Sequence, residues 1–268
     1  MRRIIFICFV LFLPLVCQEN LEILYKQLEE RFSQLDKENQ PIKNIPKYKE
    51  ITNTLEEIIE KKPTDKKLIE SIYKLLIECY DRQAEYPKKH RILKEYSELL
   101  YPEEKEKQAK TIKEYADKLK EKGEITEAII LYRLIVKEYP DTKIGSESYF
   151  RLGKIFEEEN DWRSSLIQYQ LTIKKDTRNT LTEEVLPKLG NMYLKVNQNK
   201  EAIETFQSFI SKYPESPFLE DVLYELGCAY FNSRDKQKAK ETFELYLMKY
   251  PKGKYISETD IFLEILNK

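Results

Sequence analysis

Glycine, histidine and cysteine are scarce in this chain of 268 residues, which has six glycines, one histidine and four cysteines. So few glycines argue against a turn-rich β architecture, since tight turns between strands draw heavily on glycine. The single histidine, His90, has no second histidine or cysteine at ligand spacing, which argues against a metal site. The sequence also lacks a glycine-rich phosphate loop, a G-x-S-x-G elbow and an H-E-x-x-H motif. We therefore predict a non-enzymatic protein without catalytic residues, cofactor or metal.

The chain also lacks an excess of either charge, with 46 Lys and Arg against 47 Asp and Glu. A protein that binds the phosphate backbone of a nucleic acid needs a strongly basic surface, so we expect no nucleic-acid partner. Charged residues make up 35% of the chain. This composition favours long solvated helices and predicts an all-α fold.

The one long apolar run lies at the start of the chain, from Ile4 to Val16 after two arginines. It is too short to span a bilayer stably and predicts a secretory leader over residues 1–17, with export to the periplasm. The segment that ends at Cys17, Pro-Leu-Val-Cys, resembles the lipobox of bacterial lipoproteins, which implies acylation of Cys17 and anchoring to the outer membrane. Ordinary cleavage near Cys17, which would release a soluble periplasmic protein, is the alternative.

A repeat with a period of 37 residues runs through the second half of the chain. Residues 201–217 read EAIETFQSFISKYPESP and residues 238–251 read KAKETFELYLMKYP, so that each copy runs into Lys-Tyr-Pro. Three positions of each repeat keep their character at this period: two are small residues and the third is aromatic. They are Ala116, Gly153, Gly190 and Gly227; Ala128, Ser165, Ala202 and Ala239; and Tyr132, Tyr169, Phe206 and Phe243. Small side chains let two antiparallel helices approach closely, and the aromatic ring fills the space beside that contact.

Leu226-Gly227 with Tyr230, Ala239, Phe243 and Pro251 resembles the tetratricopeptide-repeat (TPR) pattern L-G-x2-Y, A-x3-F, P. The resemblance covers residues 109–251. This part of the sequence is similar to the TPR domains of bacterial envelope proteins of the YbgF/CpoB-like and BamD-like types. It implies an α-solenoid of about six helical hairpins that binds protein partners in a concave groove.

Helical patterns extend the hairpins beyond the clear repeats in both directions. We expect a leader over 1–17, an N-terminal hairpin over 18–64, a divergent TPR-like hairpin over 65–105, four TPR repeats over 106–253 and a capping helix over 254–268. Leu21, Leu28 and Leu35 keep a seven-residue spacing that also suits a coiled coil. Because Arg31 occupies a seam position and the run is short, we interpret it as a first solenoid helix of a monomeric protein.

In TPR proteins, defined positions of the first helix of each hairpin line the groove. Carried onto this sequence, they nominate Lys154, Asn191, Leu194, Tyr224 and Phe231 as partner-binding residues. Glu157, Lys195, Cys228 and Asn232 are among the other groove positions. The groove becomes less charged toward its C-terminal end, which favours a partner's apolar residues there. The alternative is that Leu194, Tyr224 and Phe231 pack against the adjoining hairpin or the C-terminal helix.

These observations predict a protein-protein interaction scaffold of the bacterial envelope, with membrane contact only through a lipid anchor, acting in outer-membrane or cell-envelope assembly. A soluble periplasmic coordinator of the Tol-Pal type, or a regulatory subunit of a cell-wall enzyme, is the alternative.

Overall fold

The computed structural model of the protein describes residues 4–38 and 40–268, and within helices it describes the side chains of all of these except 4–18 and 41. Over these residues the chain forms thirteen helices and no strand. Six antiparallel hairpins are followed by one short helix, which confirms the predicted all-α solenoid with its C-terminal capping helix. The helices are α1 (Ile4–Lys37), α2 (Pro41–Glu60), α3 (Lys66–Arg82), α4 (Tyr86–Leu100), α5 (Lys105–Glu121), α6 (Ile125–Glu138), α7 (Lys143–Glu158), α8 (Trp162–Lys175), α9 (Thr182–Lys195), α10 (Asn199–Lys212), α11 (Leu219–Asn232), α12 (Lys236–Lys249) and α13 (Ile256–Leu266).

The chain divides into two compact units, unit 1 (Met1–Ile112) and unit 2 (Lys113–Lys268). Across the residues that the structure describes, no helix has both the length and the apolar character needed to cross a membrane.

In unit 1, the leucines with seven-residue spacing are part of the core. Leu21, Leu28 and Leu35 are buried, and α1 packs against α2 and α3. Arg31, at the seam position, is exposed and forms an ion pair of 2.6 Å with Glu50 of α2. The apolar stripe of α1 is therefore covered within the chain, as expected for a first solenoid helix.

In unit 2, each hairpin from α7 onward is closed by a glycine that contacts an aromatic ring. Gly153, Gly190 and Gly227 lie on the first helices and face Tyr169, Phe206 and Phe243 of the second helices. A Cβ atom at these glycines would lie 2.5, 2.2 and 2.4 Å from the nearest ring carbon. No side chain fits at such distances, so the close approach requires glycine.

The two helices of a hairpin are joined by a turn that recurs with the same period. One residue of each turn has a left-handed backbone conformation: Gly123, Asn160, Asn197 and Arg234, with φ of 83, 61, 61 and 65°. The aspartates that follow Asn160 and Arg234 cap the next helix, since the Asp161 carboxylate accepts from the Ser164 amide and that of Asp235 from the Lys238 amide. Two of the four turns thus combine a left-handed residue with a side-chain N-cap.

A Tyr-Pro sequence stops three of the second helices. Tyr139, Tyr213 and Tyr250 are the residues at which α6, α10 and α12 end, and their φ values are −130, −131 and −125°. A proline ring excludes the α conformation for the residue before it, so the helix ends at each tyrosine.

The second of the four repeats, around Gly153, departs from the pattern at two positions, and polar contacts form where it lacks the proline and the alanine. Its Thr177 stands in place of proline, and there the buried Asp176 accepts from the Leu181 amide at 2.7 Å, which orders the loop before α9. Ser165, in place of alanine, donates from Oγ to the Gly153 carbonyl at 2.9 Å. Both departures therefore satisfy buried polar groups locally.

We predict that Gly227→Leu destabilises the protein far more than Glu158→Ala. The leucine would collide with the fully buried Phe243 ring, at a cost of about 1 to 3 kcal/mol or more in the free energy of unfolding. Glu158 has an exposed side chain that pairs with Lys120, so its loss should stay within about 0.5 kcal/mol. Thermal unfolding followed by circular dichroism measures both, and equal melting temperatures would contradict the packing described for this hairpin.

Candidate functional site

A cleft of about 440 Å³ opens in unit 2 between α7, α9 and α11, the first helices of three successive hairpins. We call this volume the cleft. Its walls combine an aromatic ring and aliphatic groups with charged and amide groups. It is lined by Glu157, Trp162, Asn191, Met192, Leu194, Lys195, Glu225, Cys228 and Asn232.

The structure brings two of the five nominated groove residues, Asn191 and Leu194, into the lining of the cleft. Lys154 lies outside that lining, with its ammonium group 5.6 Å from the centre of the Phe150 ring. Phe150 is buried on the same helix, so the contact holds the lysine stem along α7.

Tyr224 and Phe231, the other two nominated residues, pack against the C-terminal part of the chain. Tyr224 stacks on Tyr255, with ring centres 4.1 Å apart and planes 8° apart. Phe231 meets Phe262 of α13 edge to face at 4.9 Å. Both side chains are half-buried. Their aromatic contacts fix α13 beside α11, which is the alternative that the sequence left open.

The carboxylate of Glu157, at the edge of the cleft, is held by the chain itself. It accepts a short hydrogen bond from the Tyr169 hydroxyl and lies 3.3 Å from the Lys188 ammonium group. Because Tyr169 is completely buried, its hydroxyl needs an acceptor at the helix surface. This glutamate is therefore part of the scaffold and its charge is compensated.

Glu225 is different, because its carboxylate forms no hydrogen bond or ion pair with another of the described residues, although the charges of Lys195 and Asp221 act on it. Burial raises the pKa of this carboxyl group above its ordinary value of 4.5, although Lys195 acts in the opposite direction. Lys195 directs its ammonium group over Trp162, 5.4 Å from the ring centre. A carboxylate that burial disfavours and that Lys195 compensates only in part thus faces the cleft.

Two further polar groups in the cleft have distinct properties. The side-chain carbonyl oxygen of Asn191 is buried and has no hydrogen-bond partner within the described part of the chain. Burial, reinforced by the nearby Glu225, raises the pKa of the Cys228 thiol to about 12. At neutral pH the thiol is protonated and unreactive, so it contributes to the cleft as a small apolar wall.

Sequence reasoning missed three lining residues, Trp162, Met192 and Glu225. The groove positions carried over from the TPR pattern describe a narrow arc of each first helix, whereas the cleft uses a wider arc and the start of α8. One signal was available for Trp162. It is the only tryptophan of the chain and follows the N-cap Asp161 directly, at the end of the hairpin where the groove opens.

Comparison with known proteins adds a family and a fold. Residues 181–264 match the family described as YfiO, outer membrane lipoprotein. Among solved structures, the C-terminal part of a TPR repeat-containing protein from Cytophaga hutchinsonii is similar with a TM-score of 0.51 and 16% identity, over 94% of this chain and 89% of that chain. A MamA protein from Desulfovibrio magneticus is similar with a TM-score of 0.45 and 17% identity, over 67% of this chain and 93% of that chain. BtubC from P. vanneervenii is similar with a TM-score of 0.47 and 13% identity, over 78% of this chain and 90% of that chain. No curated protein sequence matches the chain.

Helical hairpins closed by small-on-aromatic contacts every 37 residues, and a matching fold among solved structures, define the class: the chain has the fold of tetratricopeptide-repeat proteins. Its last two full hairpins and α13 carry the sequence pattern of the outer membrane lipoprotein family YfiO, which confirms the predicted resemblance to envelope TPR proteins. The cleft borders this segment, since Asn191, Leu194 and Glu225 lie within it.

We predict that Glu225→Gln raises the free energy of unfolding at neutral pH, because it removes a carboxylate whose ionised form is disfavoured by burial. The folded-state pKa of Glu225 lies above 4.5, so the folded protein binds more protons than the unfolded chain between the two values. Wild-type stability should therefore fall as pH rises through this window. The gain in free energy of unfolding from Glu225→Gln should be complete above the folded-state pKa and should vanish below the ordinary pKa of 4.5.

Denaturant unfolding of both proteins across this pH range provides the measurement. Glu204→Gln is the matched control, since Glu204 is exposed on α10 and its nearest cation, Lys200, lies 3.9 Å away. A stability difference for Glu225→Gln that does not change with pH, or one equal to that of the control, would disprove the assigned burial of charge.

Proposed function

We propose that this protein is a non-enzymatic scaffold of the bacterial envelope that binds a partner polypeptide in the cleft of unit 2. The observation that carries the proposal is the cleft itself, in which Leu194 and Trp162 supply apolar surface while Asn191 and Glu225 offer hydrogen-bond acceptors without donors. Binding surfaces combine such apolar anchors with polar groups that give orientation and specificity. The match of residues 181–264 to an outer membrane lipoprotein family supports the envelope location.

Tyr224 and Phe231 belong to this proposal as residues that support the binding surface. Through Tyr255 and Phe262 they hold α13 next to α11, and α13 presents Ile261 and Ile265 with exposed fractions of 58% and 46%. We propose that these aliphatic groups extend the apolar surface available to the partner beyond the cleft. Lys154 contributes a charge on α7, where it affects the rate of association more than the affinity.

We propose the following organisation along the chain: a leader over 1–17 that ends at an acylated Cys17, the N-terminal hairpin over 18–64, the divergent hairpin over 65–105, the four TPR repeats over 106–253 and the cap over 254–268. Cys17 lies outside the residues whose side chains the structure describes, so this part of the proposal rests on the lipobox-like sequence and on the family match. The protein would reach the membrane only through that lipid and act as a monomer.

Site-specific photo-crosslinking tests the binding surface. We expect a photoreactive phenylalanine analogue at position 194 to yield discrete adducts in intact cells of the native host, because Leu194 lines the cleft. The same analogue at position 245 is the control, since Leu245 is exposed on α12 outside the cleft. Mass spectrometry identifies the adducts. The same adducts from both positions, or none from position 194, would contradict the proposal.

The lipid anchor makes a separate prediction. We expect mass spectrometry of the mature protein from the native host to find Cys17 as the N-terminal residue, carrying diacylglycerol, and Cys17→Ser to abolish both the modification and membrane fractionation. An unmodified N-terminus near position 17 would instead establish the soluble periplasmic form.

A further inference from the structure

The cleft contains two acceptor groups that no donor of the described chain satisfies. The Asn191 side-chain oxygen is buried without a hydrogen bond, and the Glu225 carboxylate has neither a hydrogen bond nor an ion pair. An unsatisfied buried acceptor carries its full desolvation cost, and an unpaired carboxylate carries more. A ligand that brings donors to this position would recover that cost on binding.

The walls around these acceptors are apolar. Trp162 and Leu194 line the cleft with Met192, which is only 2% exposed. The occupant should therefore combine an apolar stem with a donor-rich end. Among protein side chains, this description fits lysine and arginine, whose methylene stems lie along apolar surfaces while their charged ends reach polar groups.

The charges of the lining favour a cation over an anion. Glu157 is already paired with Lys188, and Lys195 lies over Trp162. The attraction of Lys195 is weaker than the effect of burial, since the pKa of Glu225 is raised overall. A neutral donor could satisfy Asn191 but would add nothing to the partial compensation of Glu225 by Lys195.

We propose that the cleft accepts a lysine or arginine side chain of the partner polypeptide, with its stem against Trp162 and Leu194 and its charged end donating to Glu225 and to the Asn191 oxygen. This inference rests on the proposed function, which makes the cleft the binding surface, and it adds the chemistry that the partner must present. The partner segment at this point is basic and flanked by apolar residues.

The only tryptophan of the chain lies in the cleft, so its fluorescence reports occupancy of this site and of no other. The probes are short acetylated and amidated peptides that are identical except for one central residue: arginine, its neutral isostere citrulline, or glutamate. We expect the arginine peptide to change the emission of Trp162 saturably and to bind about tenfold or more tightly than the citrulline peptide, as befits a desolvated charge-assisted pair. The glutamate peptide should bind most weakly.

Three variants assign this preference to the cleft. Glu225→Gln should abolish the difference between the arginine and citrulline peptides, and Asn191→Asp, which presents only acceptors, should enlarge it. Glu204→Gln removes an equal charge from an exposed position of α10 and should leave the preference unchanged. Circular dichroism confirms that each variant is folded.

The proposal is overturned by equal affinity for the arginine and citrulline peptides, by tighter binding of the glutamate peptide, by a preference that survives Glu225→Gln, or by the absence of any saturable change with the arginine peptide. These outcomes are separable from a failure of the proposed function. Adducts from position 194 without a charge preference would retain the cleft as a binding surface and remove only the basic side chain. A lack of adducts together with a lack of peptide binding would remove both.

Discussion

The contact between a glycine on one helix and an aromatic ring on the next is the constraint on which unit 2 depends. At Gly190 a Cβ atom would lie 2.2 Å from Phe206, so the separation of α9 and α10 is set by a position where no side chain fits. The same contact recurs at Gly153 and Gly227, which gives successive hairpins one geometry and lets them stack with a constant repeat. The cleft exists because three first helices, α7, α9 and α11, are held in this way.

The ring that closes each hairpin also affects the charge of the neighbouring groove. Where it is tyrosine, the hydroxyl needs an acceptor, and Tyr132 and Tyr169 donate to Asp117 and Glu157. These carboxylates are consequently engaged by the scaffold. Where the ring is phenylalanine, no hydroxyl reaches the groove. Asn191, Leu194, Cys228 and Phe231 lie there, together with the charged Lys195 and Glu225. The ring of the buried core thus decides whether a groove carboxylate is held by a tyrosine hydroxyl.

The C-terminal helix α13 continues the 37-residue repeat in a modified form. It begins at Ile256, 37 residues after the start of α11 at Leu219, and so takes the place of the first helix of a further hairpin. Phe262 stacks on the buried Phe243 at 5.0 Å and covers the hairpin of α11 and α12. The apolar pattern of residues 257–267 predicted such a cap. The stacking partners were not predictable, because they belong to different helices whose relative rotation is a tertiary property.

The helices, their ends and their repeat follow from the amino-acid sequence alone, because each depends on neighbours along the chain. The proline after Tyr213 ends α10, the left-handed turn at Asn197 joins it to α9, and Gly190 packs on Phe206 within the same repeat. Which polar groups have hydrogen-bond partners depends on the tertiary structure. Whether Glu225 meets a cation, or whether the Asn191 oxygen meets a donor, depends on side chains that three separate hairpins bring together. Hydrogen bonds and desolvation act over a few ångströms in space, and a repeat pattern does not specify those distances.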